Sequence, residues 1–235
     1  FMYYNKSKIT EDEAKDFDTI LSKAKVAFSL QNSWYINGFY DGLSLFGEKG
    51  NDADAGMVFP KDGADITSYL VDVVANPNFS NDDGASGLAA IKDGSADVLF
   101  SGTWSAKDVK EALGDNYAAT SLPTFTVNGQ KKQMKSFAAT KAAAYNPNAK
   151  NPKAAAQFAA YLGSTEAQKL HYEMRAIPPT DKSLSDLTTD DVVAKAQADT
   201  MANTALLQSG LSGMNDWWTP AETFGKALVN KEITK

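Results

Sequence analysis

The sequence predicts an α/β fold on two observations. Short apolar runs of strand length alternate along the chain with longer stretches whose apolar residues recur every three or four positions. Caps and breakers separate the two kinds of segment at nearly every junction. With 235 residues, 43% of them hydrophobic, the chain can build one large domain or two modest lobes.

Thr10-Glu11-Asp12-Glu13 is a capping box, in which the Thr10 hydroxyl accepts from the first turn and Glu13 reaches back. Phe17, Ile20, Leu21 and Ala24 follow at helical spacing, and 25–30 reads as a strand. A helix is expected over 33–46, with Ile36, Phe39, Tyr40, Leu43 and Phe46 along one side. Gly, Asn, Asp and Pro make 47–63 a loop, with at most a short strand over 56–59. Asp65 opens a helix that closes at Asn76-Pro77. A short helix over 83–92, a buried strand over 97–101, a helix over 103–113 with Thr103 as its cap, and a strand over 117–122 come next. Asn128-Gly129 marks the tip of a hairpin between Pro123 and Lys135.

A strand of small residues is expected over 137–145. Asn151-Pro152 starts a helix with proline in the first turn, where its missing N–H matters least. Ala155, Phe158, Ala159 and Leu162 form its apolar face, Gly163 ends it, and Ser164-Thr165-Glu166 starts another that runs to Arg175. Ile177-Pro178-Pro179 is a stiff extended crossing. A long helix over 189–209, a Gly-rich turn over 210–213 and a last helix over 219–230 complete the chain.

Composition removes several function classes. A net charge of −6 with scattered lysines argues against nucleic-acid binding, which needs clustered cations to neutralise phosphates. With no cysteine there is no disulfide, thiolate metal site or thiol nucleophile. The single histidine, His171, sits among Gln168, Lys169 and Tyr172 at helical spacing and reads as a surface residue. Asp52 and Asp54 lie in a Gly-rich loop that lacks the later glutamate of a calcium loop, and Asp82 and Asp83 read as caps for the helix that follows. No stretch approaches the roughly 20 apolar residues of a membrane span, and no signal peptide is visible. No metal or cofactor is expected.

The four tryptophans carry the functional signal. Trp34, Trp104 and the pair Trp217 and Trp218 each stand beside Gly, Ser, Thr, Asn or Asp, at junctions of loops with regular elements. Flat rings among hydroxyl and amide groups suit a pyranose, which has an apolar face and a polar rim. Within Asp93-Gly94-Ser95-Ala96-Asp97-Val98-Leu99-Phe100-Ser101-Gly102-Thr103-Trp104, Gly94 supplies a left-handed cap and Gly102 leaves room for a ligand or a second backbone. Trp104 then emerges at a helix start. The pattern alone fits an ordinary βα turn with a packed tryptophan equally well.

The run AIKDGSADVLFSGTW resembles the signature of family 1 extracellular solute-binding proteins of ABC importers. Further segments fall in the same order. MYYNKSKITEDEAKDFDTILSKAK is similar to the stretch after the first hinge, and AFSLQNSWYINGFYDGLSLFG to the segment that carries a stacking aromatic in the maltose/maltodextrin branch. NYAATSLPTF, the helix pair NPNAKNPKAAAQFAAYLGSTEAQKLHYEMRAIPP and MNDWWTPAETFGKALVN follow suit.

The resemblance implies a periplasmic-binding-protein-like type II lobe, a mixed sheet flanked by helices, plus a partial second lobe. It assigns residues 1–136 to the C-terminal lobe of the family, 137–177 to a partial segment of the N-terminal lobe, and 178–235 to a return to the C-terminal lobe. Most of the N-terminal lobe is then expected to be missing, with 137–177 leaving apolar faces to pair with another copy, swap or pack on the remaining lobe. It implies sugar-stacking roles for Trp34, Trp104 and Trp218, with Tyr35 and Trp217 as neighbours of matched positions. Asn32 stands where the maltose-binding branch has a carboxylate, and Glu222 where it has an arginine.

The implied function is the substrate-binding component of a carbohydrate importer that takes maltose or maltodextrins without chemistry. Its implied partner is a membrane permease, and its implied setting is extracellular, as a lipoprotein anchored to the membrane, or periplasmic. A binder of another solute, a glycan-active enzyme and a surface interaction protein are the alternatives.

Overall fold

The computed structural model describes residues 1–138 and 141–235. In chain order the elements begin with β1 (Met2–Asn5), α1 (Phe17–Lys23), β2 (Val26–Phe28) and α2 (Ser33–Ile36). The small strands β3 (Ser44–Leu45) and β4 (Met57–Val58) precede α3 (Gly63–Ala75), β5 (Phe79–Asn81), α4 (Ser86–Asp93), β6 (Val98–Phe100), α5 (Ala106–Leu113) and β7 (Tyr117–Thr120). Then come the hairpin β8 (Thr124–Val127) and β9 (Gln130–Gln133), β10 (Ser136–Ala138), α6 (Pro152–Leu162), α7 (Thr165–Arg175), α8 (Val192–Asp199), β11 (Ala205–Leu207) and α9 (Asn215–Val229).

Five strands form a mixed sheet in the order β5-β2-β6-β1-β7. β2 lies parallel to both β5 and β6, and β1 runs antiparallel to β6 and β7. Side chains alternate between its faces, as strand geometry requires. Met2, Tyr4, Val26, Phe28, Val98 and Phe100 pack on one face, among core residues of α1, α2, α3 and α9. Tyr3, Ala27 and Leu99 pack on the other, with Ile91, Val109 and Val193 from α4, α5 and α8. The lobe is thus a sheet between two layers of helices.

Several expectations hold at atomic detail. The Thr10 N–H donates to Glu13 Oε2 at 2.8 Å and the Glu13 N–H to Thr10 Oγ1 at 3.3 Å, closing the capping box. Asn128 and Gly129 both take positive φ, 50° and 75°, as a two-residue hairpin turn of this hand requires. Asp83 accepts from the N–H groups of Ala85 and Ser86, and Asp82 from those of Gly84 and Gly87, so both cap the approach to α4.

Other expectations need correction. The helix expected over 33–46 ends as α2 at Ile36, with a single 3₁₀ turn over Asn37–Phe39 behind it. Gly38 there lies so close to the Lys135 carbonyl that a Cβ would collide with it, and Gly42 has φ 92°. The Lys135 N–H donates to the Gly38 carbonyl at 2.9 Å, the acceptor a further helical turn would need, so the apolar periodicity does not extend the helix. The capping box opens only a 3₁₀ turn, and α1 starts afresh with the Asp16 carboxylate accepting from Thr19 N–H at 2.8 Å. Neither Asp65 nor Thr103 caps its helix: α3 starts earlier, at Gly63, and α5 follows a 3₁₀ turn over Thr103–Ser105.

The helix expected over 189–209 breaks into α8, a π-helical turn over Thr200–Thr204 and then β11. Thr200 and Thr204 each turn a hydroxyl back to the carbonyl four residues earlier, at 2.7 and 3.1 Å, which loosens the backbone ladder. β11 then pairs in parallel with β10, Phe137 opposite Leu206. Of the strand expected over 137–145, only the start is strand. Residues 139 and 140 lie outside the described residues, and 141–145 have no regular structure. The last helix begins four residues sooner than expected, at Asn215, and carries Pro220 within it.

α6 has no buried residue and α7 buries only Ala167. Phe158, Tyr161, Leu170 and Met174 stand exposed on this pair. Polar contacts help attach it to the rest. Gln168 accepts from the N–H groups of Thr180 and Asp181, and the Tyr172 hydroxyl donates to Asp191 at 2.8 Å.

Candidate functional site

Three of the four tryptophans converge on one ring. Phe137 on β10 meets Trp34 edge-to-face at 5.2 Å and 64°, Trp218 at 5.7 Å and 69°, and Trp217 at 6.5 Å and 89°. Such geometry is the favoured one for aromatic pairs. The elements that bring the rings together are α2, whose second residue is Trp34, and α9, which carries Trp217 and Trp218 in its first turn. Gly225 makes their approach possible, because a Cβ there would strike the Leu30 carbonyl and Gln31 Cα.

The two neighbouring tryptophans on α9 differ in kind. Trp217 is only 5% exposed, and its indole N–H donates to the Ser33 carbonyl at 3.0 Å. Its polar edge is therefore occupied within the protein. Trp218 is half-buried and packed against the core on one side, as is Trp34. Both keep surface for a ligand.

Trp104 stands apart, 62% exposed and without an aromatic partner among the described residues. Its indole folds over its own backbone at Gly102, so the space that Gly102 leaves is filled by the Trp104 ring and not by a second chain. The Gly102 carbonyl accepts from the Tyr3 hydroxyl at 2.8 Å, which holds the turn against the sheet.

Asn32 is exposed and caps α2, its Oδ1 accepting from Trp34 N–H at 2.8 Å. Its amide N–H groups remain for a hydroxyl acceptor. Tyr35 packs edge-to-face on Phe28 at 5.9 Å. Burial, with a smaller contribution from Asp82, pushes its phenol up to about 12, so it is neutral and able to donate at ordinary pH. Glu222 accepts a long hydrogen bond from the Ser33 hydroxyl at 3.4 Å, close to Trp217. A cavity of about 20 Å³ lies against Trp34, Tyr35, Phe28 and Phe100.

Two larger concavities lie elsewhere. One of about 540 Å³ is apolar, walled by Tyr40, Phe59, Trp217 and Phe224. The other, about 560 Å³, has mixed charge and lies where α7 meets α5 and α8. Neither is lined by Trp34, Trp104 or Trp218. No cluster of His, Asp and Glu suited to a metal occurs among the described residues, and no described helix is long and apolar enough to cross a membrane. Asp52 closes its own loop, accepting from Asp54 and Ala55 N–H.

Phe137, Gly225 and Gly38 are the contributors that sequence reading missed. A phenylalanine heading a run of small residues was the available signal for the first. The two glycines gave no signal beyond breaking apolar stripes.

Residues 1–204 match the family described as bacterial extracellular solute-binding protein. The chain belongs to this family. Among curated relatives of this solute-binding protein, the maltooligosaccharide ABC transporter solute-binding lipoprotein of Streptococcus pneumoniae strain R6 is 28% identical over 244 residues, covering 94% of this chain and 56% of that protein. The chain thus spans about 56% of the length of the curated relatives it matches. A solved structure described as with acarbose is 41% identical and covers 100% of this chain and 64% of that one at a TM-score of 0.95. The maltodextrin-binding protein MalE1 from L. casei BL23, at 24% identity and a TM-score of 0.79, shares the fold over 99% of this chain and 64% of its own. The mixed α/β lobe is therefore that of periplasmic-binding-protein-like structures.

Proposed function

We propose that this solute-binding protein supplies one wall of a maltooligosaccharide site and serves a carbohydrate ABC importer by binding, without chemistry. The observation that carries the reading is the convergence of Trp34 and Trp218 on Phe137, which turns two half-buried indoles into one aromatic surface. The curated relatives named for maltooligosaccharide and the relative solved with acarbose support the choice of ligand class. Trp104 supplies a further, separate ring, and Asn32 and Tyr35 address hydroxyls. Each aromatic contact contributes on the order of 1–2 kcal/mol, since only one face of a ring meets sugar.

In this reading residues 1–136 and 178–235 form the sugar-binding lobe, with β10 packed on it, and the rest of 137–177 belongs to a second lobe that closes over the ligand by hinge bending. The closed form engages the permease, and a lipid anchor holds the whole protein at the outer membrane surface. The exposed Phe158, Tyr161, Leu170 and Met174 support self-association or exchange of this segment between copies when it lacks other cover. Light scattering with size exclusion checks that point, and a monomer at all concentrations counts against it.

Calorimetric titration with maltotriose, backed by a reducing-sugar assay, tests the main reading. Binding with no sugar release is expected. Trp34→Ala, Trp104→Ala and Trp218→Ala should each weaken binding by about tenfold or more. Unchanged affinity in all three variants removes the stacking model.

A further inference from the structure

We infer that Phe137 is a positioning residue for the sugar, its ring setting the orientation of Trp34 and Trp218 from strand β10. The inference rests on the sugar-binding reading above. Trp34 and Trp218 lie on different elements and share no ring contact with each other among the described residues. Phe137 touches both, in nearly the same edge-to-face geometry. At 5% exposure it offers almost no surface of its own to a ligand, so it acts through the indoles.

Its own position is fixed from both sides. Just before it, the Lys135 N–H donates to the Gly38 carbonyl at 2.9 Å, and the Lys135 ammonium pairs with Asp41 at 2.9 Å, holding β10 to the turn behind α2. Across the ladder, Phe137 lies opposite Leu206 of β11. The chain after β11 is pinned where the Ser209 hydroxyl donates to the Gly50 carbonyl at 2.6 Å, and it enters α9 within a few residues. β10 thus abuts the element of Trp34, and β11 leads into the element of Trp218.

The test compares the 235-residue chain with its Phe137→Leu, Phe137→Met and Phe137→Tyr variants. Near-ultraviolet circular dichroism of the free protein reports indole orientation, and fluorescence titration with maltotriose reports affinity. Phe137→Leu and Phe137→Met should alter the tryptophan bands and weaken binding about tenfold, with cooperative thermal unfolding retained. Phe137→Tyr, which keeps the ring, should restore both to within about threefold of the parent.

Unchanged tryptophan bands in the leucine and methionine variants overturn the inference, as does affinity within about twofold of the parent. Equal losses in the tyrosine variant also overturn it. If Phe137→Leu does not fold, the methionine and tyrosine pair decides alone. Should the parent itself fail to bind maltotriose, the sugar reading falls, while the dichroism comparison still decides whether this ring orients the indoles.

Discussion

The indole N–H of Trp217 donates to the carbonyl of Ser33 at 3.0 Å, across 184 positions of sequence. Both groups are buried, so the bond cannot be exchanged for water without opening the junction of α2 and α9. Trp217→Phe strands the Ser33 carbonyl and should lower stability by about 1–3 kcal/mol. Trp104→Ala, at an exposed ring, should change it by about 0.5 kcal/mol or less. Urea unfolding of the two variants checks the order, and a larger loss at Trp104 would contradict these assignments.

Gly38→Ala should destabilise by about 1–3 kcal/mol, because its Cβ collides with the Lys135 carbonyl and neither backbone can retreat without moving β10. Gly210→Ala serves as the control, since nothing lies within 4 Å of a Cβ there and its φ is unexceptional. Thermal melts of the pair should separate clearly. Equal melting temperatures would mean that β10 is not pressed against residue 38.

Asp82 is buried, with its carboxylate accepting from Gly84 N–H at 2.9 Å, Gly87 N–H at 2.8 Å and the Ser29 hydroxyl at 3.1 Å. Asp82→Ala leaves these donors unpaired and should cost about 2–4 kcal/mol. Asp83→Ala, which removes an exposed cap, should cost about 1 kcal/mol. Chemical denaturation measures both, and the ranking is the prediction.

Tyr35 gives a pH dependence with a definite sign. Burial, and to a lesser degree Asp82, lifts its phenol from 10.0 to about 12 in the folded protein. The folded state therefore holds a proton that the unfolded chain releases first. The stabilisation is fully present below pH 10 and is lost as pH rises from about 10 towards 12. Tyr35→Phe should flatten the alkaline fall of the urea midpoint relative to the parent. Parallel curves for the two proteins would show that Tyr35 ionises without opposition from the fold.

Much of this architecture was legible in the sequence because its signals are local. The capping box at Thr10, the Asn128-Gly129 turn and the proline at the start of α6 each act over a few residues and survive into the fold. The strands β2 and β6 were legible as short apolar runs. What failed depends on distant partners. The stripe over 33–46 is helical in period, yet the Lys135 N–H, from a distant part of the chain, takes the Gly38 carbonyl that a continuing helix would use, and Gly42 turns to φ 92°. Residues 205–207 read as helix until β10 offers them a strand to pair with. For the site, the tryptophans were visible as aromatics in polar surroundings. The family resemblance already set Trp218 apart from Trp217, but the indole bond to Ser33 that buries Trp217 was not legible, because its partner lies 184 positions away.

The late position of α9 has a consequence for biogenesis. All five strands of the main sheet are contained in residues 2–120, so that sheet has left the ribosome long before Asn215 is translated. Until α9 emerges, Ile36, Trp34 and Phe137 lack the helix that covers them. Any intermediate with the sheet formed and α9 undocked therefore bares this aromatic seam, and such exposed apolar surface favours aggregation.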